Sequence, residues 1–172
     1  MNAVAEKTKI RDAVDVDLPA IVSIYNAAVA TRMSTAQLDP VTVEERRDWI
    51  GEHSPDRHPF WVIDCEGAVA GWLTIKPFIQ RCAYRGTVEV SVYVDPKFHR
   101  RGIGRLLLRE AITRAPQLKI TAMIGLIFGH NEPSLRLFEQ LGFTRWGLLP
   151  RVALLDGVPR DLAIMGWHVK PY

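Results

Sequence analysis

Apolar and polar positions along this chain follow two periods, and the switches between them mark its elements. In GTVEVSVYV, residues 86–94, Val88, Val90, Val92 and Val94 fall on one face of a strand, and Glu89, Ser91 and Tyr93 on the other. FWVIDC and AVAGWLTI read as two more strands, folded into a hairpin by Glu66-Gly67. Residues 8–14 read as a short first strand, and KITAMIGLIF as a buried one. RVALLDGVPRDLAIMGWHV reads as two strands around Asp156-Gly157.

Between these runs the spacing becomes helical. Leu18, Ile21, Tyr25 and Ala28 share one face, with Asp17 placed to cap the helix and Pro19 in its first turn. Thr42 and Glu45 form a T-x-x-E box that predicts a second, charged helix at about 43–53. Leu106, Leu107, Leu108, Ala111 and Ile112 make a helix that ends before Pro116. Asn131 is placed to cap a last helix, with Pro133 in its first turn, Leu135, Leu137, Phe138 and Leu141 as its apolar residues, and Gly142 as its stop. The order is strand, two helices, three strands, helix, strand, helix, then strands, an α+β chain with one mixed sheet.

A chain of 172 residues predicts a single domain over 1–172. The 22 Lys and Arg exceed the 19 Asp and Glu by only three, too few for a general nucleic-acid footprint, so any anion site must be local. MNAVAEKTKI lacks the apolar core of a signal peptide and no apolar run is long enough to span a bilayer, so a cytoplasmic protein with no membrane partner is expected. Cys65 and Cys82 lack metal-ligand spacing and read as free thiols.

The local anion site is HRRGIGRLLL, residues 99–108, where a strand gives way to a helix through three basic residues and two glycines. The first helical turn leaves N–H groups without acceptors, its dipole adds positive charge, Arg100, Arg101 and Arg105 add more, and Gly102 and Gly104 let a phosphate approach. By itself the segment is equally a solvated basic turn. The G-x-x-x-x-G-K-[ST] loop is absent, and G-x-G-x-x-G fails because Leu107 holds its third position.

Taken with YRGTVEVSVYV before it and GHNEPSLRLFEQLGF after it, this turn resembles the R/Q-x-x-G-x-G/A motif of the Gcn5-related N-acetyltransferase superfamily. The resemblance runs from Ile10 to His168, within a domain core of about 9–169, and is strongest to the phosphinothricin and methionine-sulfoximine acetyltransferase branch. It implies a mixed, mostly antiparallel central sheet flanked by helices, with a splayed central strand pair. It also implies acetyl-CoA as co-substrate, no metal, and a small-molecule amine as acceptor; a homodimer is compatible with it.

Carried over by position, the resemblance puts Val92, Tyr93 and Val94 along the pantetheine arm. Arg100, Arg101, Gly102, Ile103, Gly104 and Arg105 cradle the pyrophosphate, and Asn131 and Ser134 stand near the thiol end. A helix cap alone would also account for Asn131. Glu89, which the alternation alone makes a solvent-facing residue, matches the family glutamate that takes the amine proton, directly or through water. The N–H of Tyr93 or Val94 would meet the developing oxyanion.

Arg81, Cys82, Ala83 and Tyr84 match the segment that holds the acidic group of amino-acid-like acceptors in this branch. Three positions depart from the pattern: His99 stands for Gln or Arg, Phe138 for a tyrosine that protonates the departing thiolate, and Ile79 for a substrate-loop lysine. Phe78, Trp72 and Met33 fit either the core or an acceptor pocket. A protein N-terminal or lysine acetyltransferase and a non-catalytic acyl-CoA sensor are the competing readings.

Overall fold

The computed structural model describes residues 8–169. Seven strands form one sheet: β1 (Thr8–Asp12), β2 (Phe60–Cys65), β3 (Ala68–Pro77), β4 (Thr87–Val94), β5 (Ala122–Phe128), β6 (Thr144–Leu155) and β7 (Val158–His168). Their spatial order is β1-β2-β3-β4-β5-β7-β6, and every neighbouring pair is antiparallel except β4 with β5. Three helices cover the sheet: α1 (Leu18–Thr31), α2 (Ile103–Arg114) and α3 (Glu132–Gln140).

Both faces of the central strands are buried. Trp61, Ile63, Leu73, Ile75, Val88 and Val90 pack with Leu107, Leu108 and Ala111 of α2 and Phe138 of α3. Phe60, Val62 and Trp72 pack on the other side with Ile21 and Ile24 of α1. Glu66-Gly67 and Asp156-Gly157 make their turns with both residues at positive φ, the geometry that matches the twist of a tight hairpin.

The second helix expected at about 43–53 does not form. Thr42 and Glu45 do make the reciprocal capping bonds, the Thr42 N–H donating to Glu45 Oε2 at 2.7 Å and the Glu45 N–H to Thr42 Oγ1 at 3.2 Å. Only a 3-10 turn over Glu44–Arg46 and further turns follow. The segment offers the sheet Trp49 and Ile50, with the His53 ring beside Phe60, and Gly51 adds backbone freedom, so packing does not sustain regular helix there.

Two other expectations change in detail. Asp17 precedes α1 without capping it; its carboxylate instead accepts from Arg11 and from the Val14 N–H. The strand expected to start at Arg151 begins at Thr144, because an edge strand tolerates Pro150, which falls within the register shift between Leu149 and Ala153.

Candidate active site

The parallel ladder between β4 and β5 stops early. Thr87, Val88 and Glu89 pair with Ala122, Met123 and Ile124; beyond Glu89, β4 pairs only with β3, and beyond Ile124, β5 pairs only with β7. The two strands diverge into a fork with Glu89 at its base. From there β4 presents an edge without strand partners along Val90–Val94. His99, one of the departures from the motif, bonds to the Val94 carbonyl at 3.1 Å and closes the end of that edge.

The turn after β4 forms a concave array of N–H groups. Arg100 (φ 59°) and Gly102 (φ 82°) both adopt left-handed backbone around Arg101, a geometry that turns successive N–H groups toward one point. The N–H of Leu106 is the first to bond within α2, to Gly102 O at 3.0 Å, which leaves the N–H groups of Ile103, Gly104 and Arg105 for an anion. A Cβ on Gly102 would meet nothing within 4 Å, so this glycine supplies backbone conformation. A Cβ on Gly104 would lie 3.2 Å from Leu137 Cδ2 and 3.5 Å from Val94 Cγ2, so its bareness lets α2 seat against α3 and β4.

The three arginines differ. Arg101 donates to Glu66 Oε1 at 2.8 Å and lies over the Phe98 ring, 5.0 Å from its centroid. Arg100 and Arg105 are exposed and make no side-chain hydrogen bond or ion pair among the described residues.

Asn131 caps α3 as expected: its Oδ1 accepts from the Ser134 N–H at 3.2 Å. Its amide nitrogen donates to Met33 O at 2.9 Å and Ser34 Oγ at 3.2 Å, so the side chain also ties the segment after α1 to the start of α3. His130 bonds to Arg32 O at 3.0 Å, Arg32 pairs with Asp156 at 2.7 Å, and the Tyr25 and Thr35 hydroxyls meet at 2.7 Å. Residues 32–35 are thereby strapped across the fork, with Tyr93 donating to Ser34 O at 3.3 Å.

Two cavities meet at the base of the fork. The first, about 340 Å³, runs between the diverging strands under the strap, lined by Met33, Ser34, Val92, Asn131, Ser134 and Phe138. The second, about 130 Å³, lies on the α1 face among Tyr25, Trp49, His53, Phe60, Trp72, Thr74 and Lys76. Glu89, Ser91 and Tyr93 line both.

Glu89 is half-buried and its carboxylate has no hydrogen-bond partner among the described residues. Burial raises its carboxyl above the ordinary value, and the charge of Lys76 opposes the rise. Burial also pushes the Tyr93 phenol far up, so it stays protonated. Phe138 is 2% exposed, its ring pressed against Gly125 where β5 leaves the fork.

The sequence-predicted residues are thus only partly brought together. Arg81, Cys82, Ala83 and Tyr84 sit on the exposed loop after β3, in and beside a 3-10 turn over Cys82–Tyr84, and line neither cavity. Phe78 lines neither; its ring meets that of Tyr84. Trp72 lines the second cavity and Met33 the first. Lys76 and Trp49 were not singled out from sequence. Lys76 follows LTI on β3 and faces Glu89 only through the strand register, while Trp49 sits in the segment read as a charged helix. No group of three or more His, Cys, Asp or Glu side chains among the described residues could hold a metal ion.

A nest of N–H groups at a helix start, two free arginines and a strand edge without partners together fit an acyl-CoA, whose pyrophosphate and pantetheine amides need such donors and acceptors. Comparisons with known proteins agree. Residues 21–143 match the acetyltransferase (GNAT) family. The chain is 46% identical over 150 residues to YwnH of Bacillus subtilis, covering 87% of this chain and 92% of that protein. It is 34% identical to the L-methionine sulfoximine/L-methionine sulfone acetyltransferase of Pseudomonas paraeruginosa, covering 94% and 95%. A crystal structure of a GNAT superfamily phosphinothricin acetyltransferase from Sinorhizobium meliloti in complex with acetyl-CoA superposes with a TM-score of 0.88, at 32% identity over 96% of this chain and 94% of that one. The chain belongs to the GNAT acetyltransferase family and is an acetyl-CoA-dependent N-acetyltransferase of the phosphinothricin type.

Proposed function

We propose that the protein acetylates the amine of a small amino-acid-like acceptor, with Glu89 as general base. The observation that carries this reading is the position of Glu89: a half-buried carboxylate without a hydrogen-bond partner, at the base of the fork, common to two cavities. The larger cavity leads along β4 toward the N–H nest and takes the thioester; the smaller takes the amine. The relatives support the acceptor class, since one acts on methionine sulfoximine and sulfone and another on phosphinothricin by name.

Acetyl-CoA supplies the acetyl group as a thioester. The nest and the start of α2, with Arg100 and Arg105, hold the pyrophosphate charge, and Val92, Tyr93 and Val94 hold the pantetheine arm through their backbone. Glu89 removes the proton that an ammonium carries at neutral pH, directly or through one water; its raised carboxyl suits that work. A nitrogen–carbon bond forms and the carbon–sulfur bond breaks; the nitrogen sheds two protons in all, its ammonium proton through Glu89 to solvent and the proton released on acylation through water to the sulfur. Phe138 offers no proton to the departing sulfur, so water supplies it. Arg81 and Tyr84 meet an outer acidic group of the acceptor. Trp146, Leu148, Leu149, Val152 and Leu154, exposed along the edge strand β6, support a second copy docking there.

The test is a panel of free amino acids, their amines and short peptides with acetyl-CoA, following free thiol. Turnover with free amino acids is the expected result. Turnover with peptides alone moves the protein to the protein-acetyltransferase reading, and binding of acetyl-CoA without turnover to the sensor reading. Mass measured by light scattering in solution checks the dimer.

A further inference from the structure

Lys76 and Glu89 stand directly opposite each other on β3 and β4. Side chains so placed have Cβ atoms about 4.5–5.5 Å apart, and opposite charges at such a site ordinarily pair. Here they do not. Neither makes a hydrogen bond or ion pair among the described residues, and both line the smaller cavity. A cation and an anion on directly opposed positions of one face, neither paired among the described residues, complement a zwitterion.

We propose that Lys76 is the cation that binds the α-carboxylate of the acceptor, so that the substrate is recognised as a zwitterionic α-amino acid across the Lys76–Glu89 pair. The inference rests on the small-amine reading above and deepens it. In an α-amino acid the amine and carboxylate are separated by two bonds to the same carbon. With the nitrogen at Glu89, where its proton must go, the carboxylate falls on the β3 side, where Lys76 is the cation of the cavity. Arg81 stands outside both cavities, on the exposed loop.

The rest of the cavity sets the side chain. Trp49, Phe60, Trp72 and Tyr93 wall it, with the Trp72 and Tyr93 rings stacked at 4.3 Å. An engineered apolar cavity of about 150 Å³ holds a benzene, so about 130 Å³ is a small-molecule volume. A charged side chain would lose its hydration against these rings, whereas a neutral thioether or aliphatic chain would not. The stretch of side chain held against these rings is therefore uncharged, and an acidic group of the acceptor is accommodated only beyond the cavity.

The experiment compares each amino acid with the amine left when its carboxylate is removed: L-methionine with 3-(methylthio)propylamine, and L-leucine with 3-methylbutylamine. Each is measured with the unaltered protein, Lys76→Gln, Lys76→Arg and Arg81→Ala, following free thiol. Lys76→Gln is expected to lower kcat/KM for the amino acids about tenfold, mostly through KM, while the amines change by less than about twofold. Lys76→Arg keeps most of the amino-acid preference. Equal losses on both members of a pair, or no loss on either, overturn the inference while leaving the acetyltransferase reading intact. So does a carboxylate-specific loss in Arg81→Ala with none in Lys76→Gln. If the unaltered protein acetylates no small amine, the small-amine reading and this inference fall together.

Discussion

Two groups of charged residues sit on the same sheet, one at its β1–β2 edge and one at β3–β4, and they are built in opposite ways. At the edge, Arg11 donates to Asp64 at 2.7 Å and 3.1 Å and to Asp17 at 2.7 Å and 2.8 Å, and Asp17 also accepts from the Val14 N–H at 2.9 Å. The hydrogen bonds from Arg11 hold the Asp17 carboxyl below its usual range. At the fork, Glu89 is half-buried with no such donor, and burial moves its carboxyl the other way. A carboxylate that ties elements of the fold together is surrounded by its donors; the one proposed to take the substrate proton is short of them, at a cost in stability.

The sharpest break in this comparison is Glu89→Gln. Removing a general base typically costs 10²–10⁴ in rate, and at neutral pH we expect kcat to fall about a hundredfold, with KM for acetyl-CoA little changed. The loss shrinks as pH rises and the amine deprotonates unaided. The same variant is expected to melt slightly higher at neutral pH. Because folding raises the Glu89 carboxyl, its ionised form weighs against the folded state above that raised value, and this cost disappears as pH falls below the ordinary carboxylate value. The gain in Tm should therefore vanish in acid. Unchanged turnover in Glu89→Gln at neutral pH removes Glu89 from the proton path.

The opposite result is expected at the other edge. Arg11→Ala strands Asp17, which is 6% exposed, and costs about 2 kcal/mol of stability, or roughly 4–8 °C in Tm for a chain of this size. Turnover per folded molecule should stay unchanged. Since folding lowers the Asp17 carboxyl, its contribution is full above the ordinary carboxylate value and is lost as pH falls through the lowered one. Calorimetric melting of both proteins from neutral to acid pH checks the sign, because the difference between them narrows only in acid.

Glycines of the α2 turn carry the comparison down to single methyl groups. Gly104→Val drives a branched side chain at Leu137 and Val94 and is expected to cost about 1–3 kcal/mol of stability. Gly102→Val has open space but the wrong backbone, φ 82°, so it distorts the nest and raises KM for acetyl-CoA with a smaller fall in Tm. Equal shifts of both quantities in the two variants would show that the glycines do one job.

Much of this was legible in the sequence, for definite reasons. The alternation of GTVEVSVYV put Glu89 with Ser91 and Tyr93 on the face opposite the valines, and Asn131, Pro133 and Gly142 bounded α3 because capping is local chemistry. What was not legible depends on which strand lies beside which. Lys76 comes to face Glu89 only through the β3–β4 register, Arg11 joins Asp17 to Asp64 only when β1 lies beside β2, and the packing need for a bare Gly104 appears only once Leu137 and Val94 lie across from it. The capping box at Thr42 formed without its helix because a cap favours a start, while packing decides whether the helix continues.

The smallest expected effect separates the arginines of the anion turn. Three basic residues in HRRGIGR look equivalent by charge, yet Arg101 is held by Glu66 and the Phe98 ring, whereas Arg100 and Arg105 are exposed and free of side-chain partners among the described residues. An arginine already engaged adds mainly long-range field to a phosphate, which salt screens within about 8–10 Å, while a free one can turn its guanidinium onto the phosphate oxygens. Arg100→Ala and Arg105→Ala are therefore expected to raise KM for acetyl-CoA about threefold to tenfold at low salt, and less at high salt. Arg101→Ala should stay within about twofold at either, since exposed ion pairs contribute little. Acetyl-CoA titrations of the three variants at two ionic strengths decide it: if Arg101→Ala loses as much as the other two, its pairing with Glu66 gives way to the ligand, and all three arginines belong to the cradle.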